Sequence, residues 1–132
     1  MRHPELPADG NRYWNVGGSN MQPMTLWTDQ QAVMVVESEL DAILLMQEAG
    51  ELVGVIALGT ASAKPDGQLH ERLMKAKTVL CSLDADAAGM KAVSFWRRYP
   101  GFKRWPVVIG KDPTEQQKAG IPIRAWLNAG LL

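Results

Sequence analysis

A chain of 132 residues with 46% hydrophobic and 21% charged side chains is long enough to bury one core, hiding roughly two-thirds of its unfolded surface, and too apolar to stay disordered. Its 14 basic and 14 acidic residues cancel, so it does not grip duplex DNA by phosphate neutralisation alone, and any contact with nucleic acid needs a bound cation or a basic neighbouring domain. The single Cys81 excludes a disulfide framework and a Cys-rich zinc module, while the absence of an apolar run near the ~20 residues that span a bilayer, and of an apolar leader core in "MRHPELPADG", suggests a cytoplasmic protein.

In chain order, residues 1–30 carry Pro4, Pro7, Pro23 and the turn-like "VGGSN" and read as a lead-in with a hairpin of "RYWNV" and "MTLW"; residues 31–132 read as the main domain. "AVMVV" is a short β-rich apolar run of the kind buried on both faces of a parallel sheet. A helix follows, capped by Ser38 with Asp41 three residues on and ended at Gly50, and Leu40, Ile43, Leu44 and Gln47 recur at the spacing of a sheet-facing stripe. The alternation continues with "LVGVIAL" as strand, "QLHERLMKA" as helix, "TVLCSL" as strand and "AAGMKAVSFWRRY" as helix. "WPVVIG" reads as a fourth strand and "IPIRAWLNAG" as a last helix. Strand-helix alternation at this spacing predicts right-handed crossovers and a three-layer α/β fold with a mostly parallel central sheet, Rossmann-like in kind.

In such sheets ligands bind at the carboxyl ends of the strands. Glu37 follows the first core strand directly, and Asp84 and Asp86 in "CSLDADAAG" follow the third. Residues i and i+2 of an extended segment share a face, so the Asp-Ala-Asp spacing aims two carboxylates at one point. Converging carboxylates repel and need a cation; oxygen-only donors suit Mg²⁺, with Mn²⁺ able to replace it, and the lack of a Cys or His cluster argues against zinc. A lone Asp-x-Asp is more often a solvated loop, and only its strand-end position opposite Glu37 gives it weight. Glu39 reads as a first-turn acid on the helix dipole, and Asp41 as a helix-start residue that also orients ligands. His3 and His70 read as exposed polar residues and Cys81 as a buried structural thiol. Lys64 and Lys111 lie in strand-end loops within reach of a phosphate, or are plain surface lysines; Gly59 and Thr60 offer backbone N–H groups, or only a tight turn. In "FWRRYPGFKRW" four basic residues interleave with aromatics, which suits nucleic acid but suits better a helix whose Phe95, Tyr99 and Phe102 face the core.

The succession "VVESELDA", "ALGTA", "SLDADAAG" and "GKDPTE" resembles the Toprim domain, the catalytic module of bacterial primases, topoisomerases and some small nucleases, over about residues 32–130. The resemblance is closest to the primase version. It implies that Glu37 is the Toprim glutamate, with acid-base or metal-ligand work, that Asp84 and Asp86 hold Mg²⁺, and that Asp112 belongs to the late primase segment beside Asp41 as support. Primases often carry a second acid two residues after the position of Asp112; here stands Thr114. The zinc-binding module and basic template-holding segment of full primases have no counterpart in the chain. The implied function is metal-dependent nucleotidyl transfer by a phage- or plasmid-type DNA primase, an excised or shortened form making RNA primers on DNA with template, nucleoside triphosphates and a replicative helicase met through neighbouring domains, and no membrane.

Three other readings compete. A Toprim nuclease uses the same acids for cleavage. A signalling receiver is also a doubly wound α/β domain with strand-end acids, but its single phosphoacceptor fits Asp-Ala-Asp poorly. A non-catalytic relic would keep the fold alone.

Overall fold

The computed structural model describes residues 23–59, 63–83 and 87–132. Five strands, β1 (Met24–Leu26), β2 (Ala32–Val36), β3 (Gly54–Ala57), β4 (Thr78–Ser82) and β5 (Phe102–Arg104), form one sheet in the order β1-β3-β2-β4-β5. β2 pairs in parallel with β3 and β4, β4 in parallel with β5, and β1 closes one edge antiparallel to β3. Helices α1 (Glu39–Ala49), α2 (Gly67–Lys75), α3 (Ala87–Trp96), α4 (Pro113–Lys118) and α5 (Ile123–Gly130) cover it. The expected mostly parallel α/β sheet is therefore the architecture found.

Strand alternation builds the layers. Ala32, Met34 and Val36 of β2 join Leu80 of β4 and the inner sides of α1 and α5 in one core; Val33 and Val35 join Val79 and Cys81 in a second core with Leu73 of α2 and Val93 and Trp96 of α3. Every residue of β2 is buried, the composition a central strand covered on both faces requires. Burying each such Val or Met contributes about 1.5–3 kcal/mol relative to an exposed position. Gly54 opens β3 because the Trp27 ring crosses it: a Cβ there would sit 2.3 Å from the indole Cδ1, so no larger residue fits without moving Trp27.

Three expectations are corrected. The sheet-facing stripe of α1 is Asp41, Ala42, Leu45 and Ala49, whereas Leu40 and Ile43 are 75% and 47% exposed. Consecutive apolar residues allow two overlapping stripes, and the small Ala42 and Ala49 let the helix approach the sheet while Asp41 is drawn inward by hydrogen bonds. The strand expected at "WPVVIG" is instead Phe102–Arg104. Pro106 has no N–H to continue a ladder, and Trp105 and Trp126 donate their indole N–H groups to Trp126 and Pro106 carbonyls at 3.0 and 3.2 Å, folding the chain over α5. His70 is half-buried rather than exposed, its Nδ1 2.9 Å from the Tyr99 hydroxyl. Of the expected hairpin, "RYWNV" lies outside the described residues, and the "MTL" arm is the antiparallel edge strand β1.

Candidate metal and phosphate site at the strand ends

The carboxyl ends of β2, β3 and β4 lie level, since Val36 stands opposite Ala57 on one side and Ser82 on the other. Past the ladder, Leu58 and Gly59 donate their N–H groups to the Val36 and Glu37 carbonyls at 3.0 and 2.8 Å. The chain at Glu37 is thus held between its neighbours. Its side chain is half-buried, with Oε1 shut off from solvent. Gly59 takes φ +77°, with nothing within 4 Å of where a Cβ would project, so glycine is needed for the backbone and the approach stays open. Its N–H is committed to Glu37, which corrects the expectation of a free backbone donor there. Thr60, Asp84 and Asp86 lie outside the described residues.

Among the described residues Asp41 is the best-held acid of this edge. It is 3% exposed. Its Oδ1 accepts from the Thr114 hydroxyl at 2.6 Å and the Thr114 N–H at 3.2 Å, and its Oδ2 accepts from the Ser38 hydroxyl at 3.0 Å. Ser38 Oγ in turn accepts the Asp41 N–H, the expected cap of α1. Three donors compensate the buried charge and tie the start of α1 to α4. Where primases often set a second acid, Thr114 supplies the donor that locks Asp41.

Asp112 also has a local task. Its Oδ1 accepts the Glu115 N–H at 2.9 Å, capping α4, and Glu115 Oε1 reaches back to accept the Lys111 N–H at 3.0 Å. This reciprocal cap, with Pro113 in the first turn, was readable in "DPTE" as an acid cap, a proline and a glutamate at the third helical position, yet the helix was not expected. Lys111 is exposed beside it. Lys64 is also exposed, its Nζ 4.9 Å from the centre of the Phe95 ring.

Among the described residues no soft donor stands at this edge. Cys81 is buried in the second core, where burial pushes its thiol up to about 12, the environment of an inert structural thiol. His70 belongs to Tyr99 on the α2 side. Among the described residues no three acidic, histidine or cysteine side chains come together, and the expected cluster needs Asp84 and Asp86 beside Glu37. A set of one glutamate and two aspartates is all oxygen, which fits a hard divalent cation.

The basic-aromatic segment after α3 behaves as structure. Arg98 lies 3.9 Å from the centre of the Phe95 ring and Arg97 5.4 Å from that of Phe102. Lys103 donates to the Gly130 carbonyl at 2.8 Å, and Arg104 contacts Met90 Sδ at 3.4 Å. Tyr99 is buried, and Phe95 and Phe102 pack against the second core, so the rings stabilise the fold and the cations cover them.

Among solved structures, the chain is similar to one chain in the structure of the bacteriophage T7 lagging-strand DNA polymerase interacting with primase domains of two gp4 subunits bound to an RNA/DNA hybrid and dTTP. The identity is 25% and the TM-score 0.59, over 80% of this chain and 56% of that one. It has the same fold as the primase fragment of the bacteriophage T7 primase-helicase protein, at 23% identity and TM-score 0.59, covering 80% of this chain and 46% of that one. The chain therefore spans about half the length of these relatives. No curated protein matches it. A family model described as Toprim-like matches residues 34–113, more than half of the sequence and the stretch from the middle of β2 to the first residue of α4, and the chain belongs to this Toprim-like family.

Proposed function

We propose that this chain is the catalytic Toprim part of a phage-type DNA primase, carrying out metal-dependent nucleotidyl transfer. The observation that carries the reading is the register of Val36 opposite Ser82, because Glu37 and Leu83 then leave adjacent parallel strands at one level, and Asp84 and Asp86 follow next in the sequence. Glu37, Asp84 and Asp86 would hold Mg²⁺ or Mn²⁺, which when bound neutralises charge on nucleotide phosphate oxygens and aligns them for attack.

The chain's own residues do the rest. Glu37, shielded from water on one oxygen, keeps a carboxylate at the strand edge for ligation or for taking a proton. Asp41, Ser38 and Thr114 hold the start of α1, and hence Glu37 just before it, in one position. Lys111 on the capped α4 turn reaches toward phosphate. DNA template, nucleoside triphosphates and a replicative helicase are met through neighbouring domains, in keeping with the partial coverage of the phage relatives.

Calorimetric titration of Mg²⁺ and Mn²⁺, with and without a nucleoside triphosphate, tests the site against Asp84→Asn/Asp86→Asn. Heats present in the natural sequence and abolished in the double variant support it, and assays of primer synthesis and strand cleavage then separate transfer from hydrolysis. Equal heats for both proteins reject the metal site.

A further inference from the structure

A second cleft lies at the other end of the sheet. It has a volume of about 400 Å³ and is lined by the β1-β2 loop (Trp27, Asp29, Gln30, Gln31), the last turn of α2 (Arg72, Lys75, Ala76) and Lys77 ahead of β4. Lys77 donates its N–H to the Gln31 carbonyl at 2.9 Å just before the first rungs of β2 and β4. This is the amino end of the parallel strands, opposite the edge that carries Glu37.

The cleft is braced by hydrogen bonds and carries basic side chains. Trp27 Nε1 donates to the Gln30 carbonyl at 2.8 Å, and Gln30 Nε2 to the Gly50 carbonyl at 2.6 Å. Arg72 donates to the Trp27 carbonyl at 2.9 Å and to the Thr28 carbonyl, and its guanidinium lies 4.0 Å from the centre of the Trp27 ring. Among the described lining residues, Lys75 and Lys77 stand with Arg72 beside one carboxylate, Asp29. Among the described residues, neither Lys75 nor Lys77 forms an ion pair. Basic residues in a last helical turn complement the helix carbonyls, but that does not account for Lys77, which lies outside the helix, nor for a concave wall braced by four hydrogen bonds.

We infer that this cleft binds the phosphodiester backbone of a single-stranded nucleic acid. The ligand class follows from what the cleft offers. Its volume is in the range of small-ligand sites and its cations suit phosphate oxygens. Trp27 is buried and its ring is covered by Arg72, so the described lining offers no free aromatic face for a base, and the recognition we infer is of backbone rather than sequence. The inference is independent of the strand-end metal site.

The test is anisotropy of a labelled oligodeoxythymidylate in EDTA across a salt series, using the full chain, Lys75→Glu/Lys77→Glu and the milder Lys75→Ala/Lys77→Ala, each checked for native circular dichroism. Removing metal keeps the strand-end site silent, so failure of the proposed activity leaves this result untouched. The alanine pair is expected to weaken binding about tenfold and to reduce the slope of log affinity against log salt by about 1.4, at about 0.7 per lost phosphate contact; the charge reversal weakens it further. Unchanged affinity and slope, or no binding by the natural sequence, overturn the inference. A nucleoside triphosphate that binds with the same lysine dependence while the strand does not also overturns it, and identifies the cleft as a nucleotide site.

Discussion

At the scale of single residues, the Asp41–Thr114 contact joins positions 73 apart in sequence, and it assigns Thr114 a task that its place in the first turn of α4 conceals. Thr114→Val keeps the shape and the backbone donor but removes the hydroxyl, leaving a nearly buried carboxylate short of one hydrogen bond. That costs about 1–3 kcal/mol, read as a lower urea midpoint at unchanged m-value, with Thr114→Ser close to the natural sequence. Equal midpoints for the valine variant would remove the contact from the account of stability. Cys81 makes a prediction in pH. Burial raises its thiol from 9.0 to about 12, so the folded state keeps a proton that the unfolded chain gives up above about pH 9. Stability is then full below that pH and falls by about 1.4 kcal/mol per pH unit as pH rises toward 12. Tyr99, also raised by burial, adds a fall of the same sign at higher pH. Cys81→Ala lowers stability at every pH by deleting a buried group, yet its urea midpoint should decline less steeply between about pH 9 and 10. Parallel curves for the two proteins would contradict a buried neutral thiol.

At the scale of elements, α4 shows how one residue can invite two functional readings. Asp112 fits a ligand-supporting acid by resemblance and is seen as the N-cap of a six-residue helix. The two roles respond differently to substitution. Asn caps about as well as Asp, whereas Ala costs about 1 kcal/mol. Asp112→Asn should therefore leave the unfolding midpoint where it is, and Asp112→Ala should lower it. Loss of Mg²⁺ heat in Asp112→Asn despite native stability would show that the carboxylate serves the cation as well as the cap. The strength of such local signals explains what was legible. β2, β3 and β4 are short runs dense in Val, Ile and Leu and announce themselves, as does Ser38 ahead of α1. β5 does not, because Phe-Lys-Arg is an edge strand whose charges mark an edge rather than a core. The stripe of α1 was ambiguous because Ile43, Leu44, Leu45 and Met46 are all apolar, and the register is decided by Thr114, far beyond any local window.

At the scale of the whole molecule, the two proposed sites lie at opposite ends of one sheet. The carboxyl end was legible because acids directly after apolar strands stand out, and Glu37 sits at that edge as expected. The amino-end cleft was not legible, since its lining residues come from two separate parts of the chain, 27–31 and 72–77, and each alone reads as an ordinary loop or helix end. Neutral overall charge conceals this arrangement: Glu37 directly follows β2, while Lys75 and Lys77 precede β4. A cation bound at the acidic end should be felt as global stability, because a ligand that binds only the folded chain stabilises it by RT ln(1 + [L]/Kd). At a Mg²⁺ concentration one hundred times its Kd this amounts to about 2.7 kcal/mol, or a rise in Tm of about 5–15 °C for a domain of this size. If the proposed site brings these acids together, Asp84→Asn/Asp86→Asn should begin from a higher Tm without metal, since two charges held close would be gone, and then show no response to Mg²⁺. A metal-free Tm below that of the natural sequence would mean that the carboxylates cap or brace the turn after β4. Equal Mg²⁺ responses would mean that the stabilising cation binds elsewhere, and the strand-end acids would lose their proposed role.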